Sequence, residues 1–148
     1  MKVLLLGSSG QLGKKFKKNC PNYVNLYSFS KQELDITNYK QLKDTLLDIK
    51  PKYIINTSAY TKVDIAEKNI NLANEINFIA VRNMSKVINK INSFLIHFST
   101  DYVFDGLKKE YYDESDIPNP LSVYGKSKFL GEKEIFNNLK NYLIFRIS

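Results

Sequence analysis

Short apolar runs alternate along this chain with longer stretches in which apolar residues recur every three or four positions. The runs predict β-strands, because a continuous apolar run ended by a turn residue suits a strand buried in a parallel sheet. They are Lys2–Gly7, Tyr23–Phe29, Tyr53–Thr57, Phe94–Ser99 and Tyr142–Ile147, with a short further strand at Glu33–Ile36. The helical spacing predicts helices over Gln11–Asn19, Tyr39–Asp48, Asn71–Asn89 and Val123–Leu139. This alternation predicts an α/β fold, a doubly wound parallel sheet with helices on both faces.

The composition fits one folded domain and excludes some classes of protein. The chain has 148 residues, of which 43% are hydrophobic and 25% are charged. No apolar run approaches the roughly 20 residues that cross a membrane, and the apolar start is too short for a secretory signal because Gly7 follows at once. The single cysteine, Cys20, allows no internal disulfide. We therefore expect a reducing compartment and a cytoplasmic protein with no membrane partner.

The positive charge is spread along the chain. Lysine and arginine number 22 against 15 acids, for a net charge of +7, but only Arg82 and Arg146 are arginines. A nucleic-acid surface more often carries arginine in a dense basic patch. The densest cluster has the pattern of a solvated helix face and comprises Lys14, Lys15, Lys17 and Lys18. We therefore expect no nucleic-acid partner.

A glycine-rich loop follows the first predicted strand and opens the first predicted helix. It reads Gly7-Ser-Ser-Gly10-Gln-Leu-Gly13, with the spacing G-x-x-G-x-x-G. In this context Gly7 permits a tight turn, Gly10 lets the backbone approach a pyrophosphate, and Gly13 lets helix and strand pack closely. The helix N-terminus offers free N–H groups to phosphate. The loop predicts a dinucleotide site on a Rossmann-like fold, and an ordinary glycine-rich turn is the alternative.

The residues after the second strand leave the choice between NADH and NADPH open. An acid at the end of that strand would bind the ribose 2′-hydroxyl of NAD, but residues 28–31 are Ser-Phe-Ser-Lys. Ser30 and Lys31 could instead meet the 2′-phosphate of NADP, although Lys31 is equally explained as a surface lysine. Asp35 could contact the adenine side of a dinucleotide or cap the next helix.

A tyrosine and a lysine four residues apart, Tyr124 and Lys128, share one face of the last predicted helix. A free phenol has a pKa of about 10, and a nearby ammonium lowers it. Such a pair can act as a general acid or base toward a carbonyl or an alcohol. The pattern also occurs by chance, so two surface residues are the alternative. Thr100 follows the strand Phe94–Ser99 and could donate a hydrogen bond to the same substrate oxygen.

The single histidine, His97, lies inside the apolar run Phe94–Ser99, so we expect it to be packed rather than catalytic. No second histidine or cysteine stands near it in the sequence, and we expect no metal site. The longest irregular piece is Asp101–Leu121. Its acidic group is expected to be solvated and comprises Asp113, Glu114 and Asp116.

The phosphate loop, the strand-end hydroxyl and the Tyr/Lys helix come in an order that resembles the extended short-chain dehydrogenase/reductases. Within that group, four strings resemble the dTDP-4-dehydrorhamnose reductase family: Asn56–Asp64, Ser99–Gly106, Asn119–Lys128 and Gly131–Glu132. The string Asp-Tyr-Val-Phe-Asp-Gly at 101–106 is specific for this family and its close relatives. The resemblance covers essentially the whole chain. It implies reduction of a nucleotide-sugar, dTDP-4-dehydro-L-rhamnose, to dTDP-L-rhamnose with NADH or NADPH, in the supply of a sugar donor for surface polysaccharides.

The resemblance also implies a role for each matching residue. Tyr124 would protonate the C4 oxygen, and Lys128 would lower the pKa of that tyrosine and hold the nicotinamide ribose. Thr100 would polarise the keto group, and Asp101 would touch substrate. An asparagine at the place of Asn77 can join a proton relay in the superfamily. The residues expected to bind the dinucleotide are Gly7, Gly10, Gln11, Leu12, Gly13, Ser30, Asp35, Ile36, Ala59, Tyr60, Thr61, Tyr124 and Lys128.

Residues 1–148 are expected to form an NAD(P)-binding domain, and the C-terminal region that closes over the sugar nucleotide in the family is absent from this chain. We therefore expect this chain to bind the dinucleotide and to turn over poorly, and the longer protein to be a candidate homodimer. One alternative is a non-catalytic regulatory subunit resembling the β subunit of methionine adenosyltransferase, over which Thr100 favours the reductase. Another is a sugar-nucleotide epimerase or dehydratase of the same superfamily.

Overall fold

The computed structural model describes residues 1–148 and contains one sheet of five strands. They are β1 (Lys2–Leu6), β2 (Asn25–Phe29), β3 (Tyr53–Asn56), β4 (Phe94–Thr100) and β5 (Tyr142–Ile147). They lie in the order β2-β1-β3-β4-β5, and every neighbouring pair is parallel. The chain passes from β1 to β2 on one side and returns to β3 on the other. The carboxyl ends of β1 and β3 therefore flank the point at which the strand order reverses, where open α/β sheets bind ligands.

Six helices connect or flank the strands. They are α1 (Gln11–Lys18), α2 (Tyr39–Ile49), α3 (Val63–Ala66), α4 (Ile70–Asn74), α5 (Ala80–Ile91) and α6 (Val123–Asn138). A π-helical turn, Glu75–Ile79, joins α4 to α5 without a break in the helical backbone. A 3₁₀ turn, Asp101–Val103, follows β4. None of the helices is long and apolar enough to cross a membrane.

The main core lies between one face of the sheet and helices α2, α5 and α6. It unites 16 buried apolar residues, including Leu4 from β1, Leu46 from α2 and Met84 from α5. Burying one such side chain stabilises a fold by about 2 kcal/mol. Helix α1 packs on the opposite face, where the ring of Phe16 lies 5.8 Å from that of Phe98. The doubly wound α/β fold with helices on both faces is therefore confirmed.

The short strand predicted at Glu33–Ile36 is wrong. The segment pairs with no strand, and the N–H groups of Glu33 and Leu34 both donate to the carbonyl of Ser30, at 3.2 and 3.0 Å. Leu34 and Ile36 are nevertheless buried, because the loop folds over the main core and inserts both side chains into it. Alternating burial here comes from a loop that packs on the core and not from strand pairing.

The other predicted elements are present, with ends that move by one or two residues. Helix α2, for example, ends at Ile49 because Lys50 adopts a left-handed backbone with φ 46° just before Pro51. The short helix α3 and the π-turn were not predicted, because neither is long enough to show a recognisable hydrophobic period.

Candidate active site

The carboxyl ends of β1 and β3, with the loops that follow, border a cleft of about 310 Å³. It is lined by several of the residues expected to bind a dinucleotide, namely Gly7, Gly10, Asp35, Ile36, Ala59, Tyr60 and Thr61. Ser58 and Lys31 line it as well. The topology thus brings together three loops that are far apart in the sequence.

The glycines of the first loop permit backbone approaches that a side chain would block. Gly7 has φ +80°, and a Cβ there would stand 2.8 Å from the backbone nitrogen of Ser58. A Cβ on Gly13 would stand 2.3 Å from the carbonyl oxygen of Gly7, so glycine lets α1 sit against the loop. A Cβ on Gly10 would meet one atom, at 3.4 Å. Gly10 is therefore the member of the motif that the fold itself needs least.

The N-terminus of α1 faces this loop with free donors. Its first helical hydrogen bond runs from Lys14 N–H to the carbonyl of Gly10 at 2.9 Å. The N–H groups of Gln11, Leu12 and Gly13 precede that bond and have no partner within the helix. The side chain of Leu12 points away, into a separate apolar cavity of about 410 Å³ beneath α1. Leu12 can therefore meet a phosphate through its backbone.

The turn after β2 brings the carboxylate of Glu33 close to the end of that strand. The N–H of Ser30 donates to Oε2 of Glu33 at 2.7 Å, and this hydrogen bond lowers the pKa of the Glu33 carboxyl. Residues 28–31 contain no acid, as noted from the sequence, but the turn at Ser30 folds the carboxylate of Glu33 back to the end of β2. Lys31, on the same turn, has its Nζ 4.0 Å from Oδ2 of Asp35.

Asp35 does not cap the following helix. Its Oδ1 accepts from the backbone N–H and the hydroxyl of Thr37, at 2.9 and 2.8 Å. The cap of α2 is Asn38, whose Oδ1 accepts from Gln41 N–H at 3.1 Å. Asn38 therefore caps the helix in place of Asp35. Asp35 lines the cleft, where a contact with the adenine side of a dinucleotide remains the expected role.

Thr100 and Tyr124 meet where β4 ends and α6 begins. Thr100 is the last residue of β4, and its hydroxyl donates to Oδ1 of Asp101 at 3.1 Å while accepting from Tyr102 N–H at 3.2 Å. Helix α6 can approach this turn because Gly125 has no side chain: a Cβ there would stand 2.2 Å from the carbonyl oxygen of Tyr102. This contact sets Tyr124 beside Thr100.

The phenol of Tyr124 has a higher pKa than that of a free tyrosine. Burial raises its pKa above 10.0, the negative charge of Asp101 acts in the same direction, and the hydroxyl of Thr100 acts against both. The expectation that Lys128 lowers this pKa is not met. The ammonium of Lys128 points instead toward β4, where it donates to the carbonyl oxygen of Phe98 at 2.6 Å.

Lys128 is itself buried, with 1% of its surface exposed. Burial lowers its pKa from 10.5 to about 8, opposed by the negative charge of Glu132 one turn along α6. The carboxylate of Glu132 is held in a two-pronged ion pair by Arg146 of β5, at 3.1 and 2.8 Å. In this dry site the uncharged form of the lysine is therefore more accessible than it is in water.

His97 was expected to be packed, and it is fully buried. Two contacts of His97 were not predicted from the sequence: its Nε2 lies 3.4 Å from Nζ of Lys128, and its Nδ1 lies 3.1 Å from Nδ2 of Asn56. Burial and the positive charge of Lys128 hold the pKa of His97 well below 6.5. In the sequence, the one sign of these contacts was that His97, a polar residue, interrupts the apolar run just before Ser99 and Thr100.

Asn77 lies in the π-turn and does not touch Lys128 by a hydrogen bond. Its Oδ1 accepts from the N–H of Tyr60 at 2.8 Å, and its Nδ2 donates to the carbonyl of Tyr60 and to the hydroxyl of Ser127, both at 3.0 Å. Asn77 thus fastens the loop after β3 to helix α6.

A second cleft, of about 380 Å³, lies among the residues that follow β4. Asp101, Tyr102, Phe104, Tyr112, Leu121 and Ser122 are among its lining residues. The segment after it is organised by its acids: Asp105 accepts from the hydroxyl of Tyr112 at 2.9 Å, and Asp116 accepts from Lys108 at 2.6 Å. The acidic loop is therefore partly a scaffold for this cleft.

Comparison with known proteins agrees with this geometry. A family model described as the RmlD substrate binding domain matches residues 1–148. The dTDP-4-dehydrorhamnose reductase of Salmonella typhimurium is 37% identical over 152 residues, covering 100% of this chain and 51% of that protein. The chain thus spans about half the length of the curated relatives it matches. The β subunit of methionine adenosyltransferase 2 from Xenopus laevis is 34% identical, over 99% of this chain and 46% of that protein.

A solved structure is similar to this chain in both fold and sequence. The crystal structure of dTDP-4-dehydrorhamnose reductase from Bacillus anthracis in complex with NADP matches with a TM-score of 0.95 and 40% identity, covering 98% of this chain and 52% of that chain. The chain belongs to the RmlD substrate binding domain family, which confirms the resemblance to the dTDP-4-dehydrorhamnose reductases drawn from its motifs.

Proposed function

We propose that this chain supplies the dinucleotide site and the proton donor of an NADH- or NADPH-dependent reductase acting on the 4-keto group of dTDP-4-dehydro-L-rhamnose. One observation carries the proposal: the cleft beside the glycine loop and the cluster of Thr100, Tyr124 and Lys128 lie at the same edge of the sheet. A dinucleotide laid along that edge would bring its reactive end to the phenol.

The residues of the first cleft fit such a cofactor. The pyrophosphate would lie against the free N–H groups at the start of α1, as anions do at helix N-termini. Asp35 and Ile36 would face the adenine side, with Lys31 and Glu33 near the ribose. The segment from Ala59 to Thr61 would line the middle of the dinucleotide. When bound, the reduced nicotinamide supplies the hydride, and the protein supplies orientation and polarity.

The reacting carbonyl would be activated by two hydroxyl groups. The substrate oxygen would lie between Thr100 and Tyr124. The hydroxyl of Thr100 donates to Asp101 and would turn to the keto group to polarise it, while Tyr124 would deliver a proton to the oxygen as the alcohol forms. The raised pKa of Tyr124 suits this direction of reaction, because the phenol still carries its proton at neutral pH. The sugar would extend toward the second cleft, past Asp101.

Lys128 has a different part in this scheme from the one read from its spacing. Its Nζ donates a hydrogen bond to the carbonyl oxygen of Phe98, and the lysine is not among the groups that shift the pKa of Tyr124. Contact with the nicotinamide ribose, as the family resemblance implies, would require the Lys128 head group to turn from Phe98 to the ligand.

A single-turnover assay tests this function in the chain itself. The chain is held in excess over NADPH, dTDP-4-dehydro-L-rhamnose is added, and loss of the reduced cofactor is followed by its absorbance. We expect slow, substrate-dependent oxidation that falls by about 10²-fold or more in Tyr124→Phe, since general acid catalysis contributes about 10²–10⁴-fold.

The matched control is Tyr53→Phe, which removes a phenol hydroxyl at the amino end of β3, the edge of the sheet opposite the site, and should leave the rate unchanged. Binding of NADPH with no substrate-dependent oxidation would contradict a reductase. It would favour the non-catalytic regulatory function to which the methionine adenosyltransferase β subunit relationship points.

A further inference from the structure

Three buried polar side chains, Asn56, His97 and Lys128, form a row beneath the site. Asn56 and His97 are register partners on the parallel strands β3 and β4, so their side chains stand next to each other on one face of the sheet. Lys128 reaches them from α6, which packs on that face. All three have at most 1% of their surface exposed, so water cannot supply missing hydrogen-bond partners.

The direction of the hydrogen bonds in this row is fixed at one end by the backbone. Oδ1 of Asn56 accepts from the N–H of Ser58 at 3.1 Å, in the loop that lines the dinucleotide cleft. The NH₂ group of Asn56 must therefore face His97, 3.1 Å from Nδ1. An amide NH₂ can only donate, so Nδ1 must be the acceptor, and a neutral imidazole then carries its proton on Nε2.

The proton on Nε2 faces Nζ of Lys128, 3.4 Å away. An ammonium has no lone pair and cannot accept this proton, whereas an uncharged amine can. The amine can at the same time donate to the carbonyl oxygen of Phe98. Each contact within the row therefore pairs a donor with an acceptor when Lys128 is an amine, whereas the contact between His97 and Lys128 holds two opposed donors when Lys128 is an ammonium.

We infer that Asn56 and His97 are positioning residues for Lys128: they form a one-way hydrogen-bond relay from the cleft loop at Ser58 to the lysine nitrogen and favour its uncharged form. The inference rests on the proposed function, in which Lys128 stands beside the reacting centre. The charged and titratable groups around the relay are few. Glu132 of α6 favours the ammonium but is occupied by Arg146 of β5, and burial works against the ammonium.

The single histidine makes the relay directly measurable. In a chain labelled with ¹⁵N-histidine, long-range ¹H–¹⁵N correlation spectra contain one imidazole, and they distinguish the two neutral tautomers from the imidazolium. We expect the Nε2–H tautomer, with no titration near the ordinary histidine pKa of 6.5. The Nδ1–H tautomer, or an imidazolium forming near that pH, would overturn the relay.

A substitution at the far end of the row tests its direction. In Asn56→Asp, one carboxylate oxygen keeps the Ser58 N–H and the other faces Nδ1, so the proton of His97 should move to Nδ1. Nε2 then accepts from the ammonium of Lys128. The pKa of Lys128, followed through its ¹³C-labelled ε-methylene group, should rise from about 8 toward the 10.5 of an exposed lysine. An unchanged tautomer or an unchanged lysine pKa would refute the relay.

Two further variants keep the test decisive. Lys128→Met should retain the Nε2–H tautomer, because Asn56 and not the lysine selects it; a switch to Nδ1–H would contradict the relay even if Asn56→Asp failed to fold. Ser85→Ala removes a buried hydroxyl of α5 elsewhere and should leave His97 unchanged. None of these readouts needs a dinucleotide. A missing relay with intact NADPH binding therefore disproves this inference alone, and the reverse result disproves the proposed function alone.

Discussion

Replacing Lys128 with methionine should remove a large pH dependence of stability. The pKa of this lysine falls from 10.5 in an exposed chain to about 8 in the fold. Each pKa step is worth about 1.4 kcal/mol, so the shift corresponds to about 3 kcal/mol. Below about pH 8 the lysine is protonated in both states, and folding bears the full cost of burying a charge. Between pH 8 and 10.5 the unfolded chain binds more protons, so the free energy of unfolding must rise with pH.

The assay is urea unfolding of both proteins at intervals between about pH 7 and about pH 10.5, read by circular dichroism. The wild-type free energy of unfolding should gain up to about 3 kcal/mol relative to that of Lys128→Met across this interval. The raised pKa of Tyr124 lowers stability at the alkaline end, but it does so in both proteins and cancels in the difference. Parallel curves would refute the claim that Lys128 is buried with a lowered pKa.

Other substitutions test the packing that builds the site. Gly13→Ala should destabilise the fold by about 1–3 kcal/mol, because its Cβ would stand 2.3 Å from a backbone oxygen, whereas Gly10→Ala should cost less than about 1 kcal/mol; thermal unfolding compares the two. Glu132→Gln leaves the guanidinium of Arg146 without its counter-charge and should cost about 3 kcal/mol in urea unfolding; an unchanged midpoint would show that the ion pair is not formed. Leu46→Ala should cost about 2–5 kcal/mol by the same measurement, since Leu46 is fully buried, and a loss below about 1 kcal/mol would contradict its place in the core.

The elements that the sequence predicted well are those whose signals are local. The apolar runs, the glycine loop and the four-residue spacing of Tyr124 and Lys128 each lie within a few positions, and they placed the strands, the cleft and one face of α6. The segment Glu33–Ile36 was wrongly predicted as a strand because the prediction used only its local pattern. Its alternating burial is local, but the contact that produces it is a loop lying over a distant core.

The electrostatics of the site could not be read in this way. Asn56 and His97 are 41 residues apart, and His97 and Lys128 are 31 apart. Their contact depends on the register of β3 on β4 and on the approach of α6. Spacing on a helix showed that Tyr124 and Lys128 share a face, but it did not show that the lysine head group turns to the carbonyl of Phe98. For that reason the predicted direction of the Tyr124 pKa shift, a lowering, was wrong.

The proposed function depends on the binding of a nicotinamide dinucleotide in the cleft beside the glycine loop. The most direct test is a titration of this chain with NADPH and with NADH, followed by cofactor fluorescence. Gly10→Glu carries a negative side chain toward the cleft from a position where the fold tolerates a Cβ, while Tyr124→Phe leaves the phosphate loop untouched. We expect saturable binding of at least one dinucleotide, abolished by Gly10→Glu and retained by Tyr124→Phe. A folded wild-type chain that binds neither nucleotide, or binding that Gly10→Glu leaves unchanged, would contradict it.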